Sequence, residues 1–362
     1  MIENSKEIQE RELEESNDRL AEPVPPVDIV AFTEARSCAD LFRLFQKQQL
    51  EIQPNFQRKV VWSDRDQTLF VDSLMKQMPI PSLCISLDAK TQQRVVIDGL
   101  QRMYTIIRFL DFAQKDWRLS CSEDVDERIS GKLVSEIHDN ESALFSTLEN
   151  LTIPVTVLRC DYSKSTHMDY LFQIFRRLNS GGRHLLNQEI RNCIYQGRFN
   201  DYLRAVVRSP EWLNVMCVTK ARVENARYGH EERVLRFFAM ESGWESYSGN
   251  LSKFLNDYMK AHKNISEEGL RVKDELLRSV LSISAKIGLP KDLLRNKNLM
   301  EGVMVGLARN VDRIEGKSPE WLHERYEQLM QTDPYSVDIK EGMAHTDKVH
   351  DRMRQSIEAF EP

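Results

Sequence analysis

Past Leu158 the apolar residues of this chain recur at helical spacing with hardly a break as far as residue 331, whereas before it short apolar runs of strand length alternate with single amphipathic segments. Strand-length runs mixed with amphipathic segments, followed by a helical period almost without interruption, separate an α/β part from a helical part. The chain reads as α+β, with a small α/β lobe over residues 27–160 and a larger all-helical lobe over 161–362. A length of 362 residues agrees with two such bodies.

Residues 1–26 stand apart. Eight acids face three bases between Met1 and Glu22, and the run Pro23-Val24-Pro25-Pro26 stops any helix those charges support, so the segment reads as an acidic mobile arm. In the first lobe Leu41, Phe42, Leu44 and Phe45 predict a helix over 39–48, followed by an extended piece over 50–56. Ser63 can cap a second helix reaching to about Met78, with Asp64 and Asp66 near its positive end. The turn Pro79-Ile80-Pro81 breaks that helix. Two apolar runs, 83–87 and 94–97, flank a polar six-residue connection and predict a β-hairpin; a third strand follows over 153–158, after a polar stretch from Gln114 to Asn150. No internal repeat is visible.

Composition narrows the classes. With 41% hydrophobic and 29% charged residues the chain can fold. No run approaches the roughly 20 apolar residues that span a bilayer, and the first residues lack the basic start and apolar centre of a secretion signal, so a soluble, cytoplasmic protein is expected, with no membrane partner. Six scattered cysteines give neither zinc spacing nor a disulfide framework, and His345 and His350 are five apart, which fails the zinc-protease pattern. From Arg159 to Arg236 fourteen Lys or Arg stand against eight Asp or Glu. That excess can attract polyanions, or its arginines can face water and pair with acids; the sequence leaves both open.

The most informative segment is Asp98-Gly99-Leu100-Gln101-Arg102, at the end of a predicted strand and the start of a helix carrying Ile106, Ile107, Phe109 and Leu110. Gly99 permits close backbone approach, the helix start offers N–H groups to an anion, and Arg102 can make a forked, charge-assisted contact. Asp98 can hold a magnesium ion or orient water. The structural alternative is an ordinary corner with Asp98 as cap and Gln101 and Arg102 in solvent. A second constellation, Phe175-Arg176-Arg177-Leu178-Asn179-Ser180-Gly181-Gly182-Arg183, runs a basic helix end into a glycine pair that can form an anion-binding array or merely terminate the helix. Gln188, Arg191 and Asn192 follow on neighbouring faces of one helix, and Gln57 with Arg58 adds a third polar contribution.

Taken together, five ordered blocks resemble the N-terminal domain of GmrSD-type modification-dependent restriction systems, also found in the phosphorothioate-sensing SspE proteins: Phe56-Gln57-Arg58 with Val61-Trp62, Pro79-Ile80-Pro81, Val96 to Arg102, Ile174 to Gly182, and Asn187 to Asn192. The match runs from about residue 40 to 210. The resemblance implies a ParB/sulfiredoxin-like fold for the first lobe, with nucleoside triphosphate and magnesium binding and hydrolysis attributed to the Asp-Gly-x-Gln-Arg signature. On that footing Asp98, Gln101 and Arg102 are the catalytic candidates, Asp98 is the metal ligand, and Gln57, Arg58, Gly99, Arg177, Asn179, Gly181, Gly182, Gln188 and Arg191 are the nucleotide contacts. Leu100 departs from the family, where Gln is usual, and removes one hydrogen-bonding group. The family's HNH-type nuclease domain has no counterpart, since His230, His262 and His323 are isolated. The expected function is therefore an NTP-hydrolysing component of an antiviral restriction system that couples sensing of DNA, modified or not, to a partner HNH-type nuclease chain. Two alternatives stand beside it, a non-catalytic DNA-binding adaptor and a DNA nickase. Assembly of the chain with a second copy of itself is compatible with either.

Overall fold

The computed structural model describes residues 26–52, 62–178, 186–335 and 342–362. The chain divides into two compact units, with the boundary between Leu185 and Leu186. The first is built on one five-stranded mixed sheet and the second on helices alone, the α+β class expected.

In the first unit the strands are β1 (Val30–Ser37), β2 (Leu50–Glu51), β3 (Leu83–Asp88), β4 (Arg94–Asp98) and β5 (Thr152–Cys160). Their order in the sheet is β1-β5-β3-β4-β2. The hairpin forms as expected, β3 and β4 pairing antiparallel, and β5 joins β3 in parallel from Leu83 opposite Val155 to Asp88 opposite Cys160. β3 is the central strand and all six of its residues are buried. Against the sheet pack α1 (Cys38–Gln46), α2 (Asp64–Met75), α3 (Leu100–Leu110), α4 (Val134–Asn140) and α5 (Ser142–Asn150). Their apolar stripes close one core that contains Leu41, Val71, Leu74, Ile85, Met103, Ile106, Ile153 and Val155. The expected cap of α2 is present as a reciprocal box in which Ser63 accepts from the Asp66 backbone and Asp66 reaches back to the Ser63 N–H at 2.9 Å. α6 (Ser165–Leu178) packs on β4 and belongs to this unit, so the compact body extends past the position near residue 160 where the hydrophobic period changes.

The second unit runs through α7 (Asn187–Ile194), α8 (Arg198–Val206), α9 (Pro210–Val215), α10 (Lys220–Asn225), α11 (Gly229–Gly243), α12 (Leu251–His262), α13 (Glu267–Ile287), α14 (Lys291–Arg295), α15 (Lys297–Arg309), α16 (Val311–Ile314), α17 (Pro319–Met330) and α18 (Thr346–Ala359). α11 and α15 are its axis: Val234 to Met240 and Met300 to Ala308 are buried without interruption. α18 lies close against α15 because Gly302 and Gly306 present no side chain, and a Cβ on Gly306 would overlap the Ser356 carbonyl. Among the described residues no helix is long and apolar enough to cross a membrane.

Candidate functional site

Strand β4 ends at Asp98, and Gly99 turns the chain into α3 with φ +87°. That left-handed geometry favours glycine, and packing enforces the choice, because a Cβ there would overlap Leu83 Cδ2 and crowd the Arg102 guanidinium. The space that the absent side chain leaves is thus filled by the protein itself. No side chain caps α3. Its first intrahelical bond is Met103 N–H to the Gly99 carbonyl at 2.9 Å, so the preceding N–H groups of Leu100, Gln101 and Arg102 have no helical acceptor, the usual condition of a helix start and the one that suits an anion.

Arg102 is already engaged. Its Nη2 donates to Asp98 Oδ2 at 3.0 Å, one helical turn back, and its Nη1 donates to the carbonyls of Pro81 and Ser82, the latter at 3.2 Å. With only 14% of its side chain exposed, the guanidinium latches the turn after Pro79-Ile80-Pro81 onto the start of α3. Neither Gln101 nor Arg102 therefore stands in open solvent, as the ordinary-corner reading had it. Gln101 Oε1 accepts from the Trp62 N–H at 3.4 Å, while Gln67 Nε2 donates to the Trp62 carbonyl at 3.1 Å and receives Arg108 at 3.0 Å on its oxygen. Both sides of the Trp62 peptide are held, one from α3 and one from α2. Gln67 was not singled out in the sequence; a buried amide on an otherwise apolar helical face was the available signal. Leu100 packs partly buried against the core.

Asp98 keeps 36% of its side chain exposed, and its second oxygen, Oδ1, is the group a cation could use. Among the described residues no set of three His, Cys, Asp or Glu side chains converges on one point. The donor set fits a magnesium ion that meets the protein through one carboxylate oxygen and otherwise through phosphate and water, as that ion commonly binds, and does not fit an all-protein cage.

The other candidate residues are dispersed. Gln57 and Arg58, and Asn179, Gly181 and Gly182, lie outside the described residues. Arg177 stands in the last turn of α6. Gln188 and Arg191, on α7, are each 1% exposed. Arg191 donates to Asn256 Oδ1 at 2.9 Å, Gln188 Oε1 at 3.2 Å, Glu232 Oε2 at 3.4 Å and Ser252 Oγ at 3.4 Å, so within the second unit it ties α7 to α11 and α12. Burial draws its pKa down and Glu232 pulls it back up. In this arginine-rich stretch Arg208, Arg227 and Arg236 also meet acids, Glu224 at 3.9 Å, Glu189 at 2.5 Å and Glu301 at 2.6 Å. Of the two readings of that local positive excess, internal pairing accounts for these four arginines.

Residues 41–196 match the family model for the GmrSD restriction endonuclease, N-terminal domain. The span holds all five sequence blocks, and the family identified from them is the one found. It covers β2 to β5, the Asp98–Arg102 corner, α6 and α7. Neither a curated protein nor a solved structure matches the chain.

Proposed function

We propose that this chain, through its GmrSD-type N-terminal domain, binds and hydrolyses a nucleoside triphosphate and relays recognition of modified phage DNA to an HNH-type nuclease carried by a partner chain. The observation that supports this most is the open start of α3 at the end of β4, where three N–H groups without helical acceptors stand beside Asp98 and Arg102. A polyphosphate laid across those N–H groups meets the positive end of the helix. It also competes with Pro81, Ser82 and Asp98 for the Arg102 guanidinium. Asp98, released from that pair, would orient the attacking water and would hold a magnesium ion through one oxygen, the ion supplying charge neutralisation. Little covalent chemistry falls to the protein in such a transfer; position and field carry it.

Thermal unfolding with ATP or GTP and magnesium tests the reading. A triphosphate held at 100 times its dissociation constant stabilises the folded chain by about 2.7 kcal/mol. Arg102→Ala is expected to remove the nucleotide-dependent shift and any phosphate release, and retention of both takes the signature out of the mechanism. Leu100→Gln, which restores the family residue, is expected to raise phosphate release while leaving the shift in place.

The latch formed by Arg102, Asp98, Pro81 and Ser82 favours a second reading, a non-catalytic DNA-binding adaptor in which the corner is structural. That reading predicts DNA affinity falling steeply as salt rises, with no phosphate released.

A further inference from the structure

We propose that the helical unit holds a binding site for an uncharged planar heterocycle of the nucleobase class, in the slot between the end of α11 and one face of α12. The slot encloses about 350 Å³, within the size range of small-molecule sites. One wall is made of small residues, Ala239, Ser242 and Gly243. Phe254, Tyr258 and His262, each four residues from the next on α12, also line the slot, and the Tyr258 and His262 rings stack on each other at 4.0 Å. A stack of two rings beside small side chains is a lining that a further planar ring can extend.

The polar groups in the slot are arranged for a ligand with both donors and acceptors. Lys273 donates to the Tyr258 hydroxyl at 2.6 Å, which occupies its oxygen and directs the phenolic proton elsewhere. The partner within reach is Ser242 Oγ at 3.4 Å, longer than an ordinary O–H···O bond, and Ser242 is itself drawn to Glu241 at 3.2 Å. The phenol is thereby a polarised donor with a weak internal partner. His262 meets the Tyr258 carbonyl through Nδ1 at 2.9 Å. A carbonyl can only accept, so Nδ1 carries the proton, and in the neutral ring Nε2 is an acceptor. Burial, with Lys273 nearby, pushes the His262 pKa down and keeps the ring neutral.

Charge selects against phosphate. At the rim Lys253 pairs with Asp257 at 2.9 Å, and behind the rings Lys273 is balanced by Glu241. No net positive charge is left for a phosphoryl group. The site is independent of the Asp98–Arg102 corner and does not rest on the function proposed for it.

Calorimetric titration of the full chain with adenosine, guanosine, cytidine and thymidine, and in parallel with a single-stranded oligonucleotide, tests the assignment. At least one free nucleoside is expected to bind with a dissociation constant below about 1 mM. Ser242 is exposed, so Ser242→Phe fills the slot from its open side without disturbing the core, and it is expected to weaken binding at least ten-fold. Tyr258→Phe, which removes the phenolic donor and keeps the ring, is expected to weaken it several-fold. Failure of all four nucleosides, equal affinity in Ser242→Phe, or Ser242-dependent capture of the oligonucleotide without any free nucleoside each overturns the proposal.

Discussion

Gly99 shows how much one position can fix. Its φ of +87° is costly for any residue with a Cβ, and Leu83 leaves no room for one. Gly99→Ala is expected to cost about 1–3 kcal/mol of stability, measured by urea unfolding, and to displace the start of α3. Glu231 is a second such residue. It is 3% exposed, its Oε2 has no hydrogen-bond partner among the described residues, and burial raises its pKa from 4.5 to about 7. The folded chain therefore keeps a proton that the unfolded chain has already released. Stability from this group is full below about pH 4.5 and is lost as pH rises to about 7. His230, next to it, donates nothing to Trp212 but accepts its indole N–H at 3.2 Å, and burial pushes its pKa from 6.5 down to about 4. Its sign is opposite, since stability present above 6.5 is lost as pH falls toward 4. The two slopes offset each other in the native chain. Glu231→Gln is expected to be the more stable protein at pH 8 and to match the native chain near pH 4.5, and urea midpoints at the two pH values check it.

Among the elements, α11, α15 and α18 meet at a buried ion cluster. Glu301 is 3% exposed and lies between Arg236 at 2.6 Å and Arg352 at 3.6 Å, both buried. Removing the carboxylate strands two guanidinium groups in the interior, so Glu301→Ala is expected to destabilise by about 3–5 kcal/mol in chemical unfolding, and replacing the buried cluster with apolar residues by much less. Little of this was legible beforehand, because a charged residue on a helix is expected to face water. Other elements were plain in the sequence. The hairpin of β3 and β4, the Ser63 cap and the helices carrying Leu41 and Ile106 followed from period and turn chemistry. β1 was missed because Val30 to Thr33 are exposed on an edge strand and give no buried alternation. α4 and α5 escaped notice because each buries only two residues, Val134 with Ile137 and Phe145 with Leu148, too few to set a period. The corner at Asp98 was found, but the latch on Arg102 was not, since backbone carbonyls that accept a guanidinium leave no mark in sequence.

For the whole molecule, the hydrophobic period changes near residue 160, whereas the boundary between the two compact units falls at residue 185, because α6, though helical, packs back on β4. Period reports local structure; it does not report which body a helix serves. The arginine-rich stretch shows the same gap, since net charge along a sequence is silent about the acids brought opposite by folding. The Asp98–Arg102 corner either opens to a triphosphate or stays closed as a structural joint. The most direct measurement is an equilibrium titration of the full chain with a non-hydrolysable triphosphate and magnesium, run beside Arg102→Ala with folding of both followed by circular dichroism. Saturable binding by the native chain, lost in a folded Arg102→Ala variant, is the predicted result; equal affinity in both, or no binding by the native chain, contradicts it.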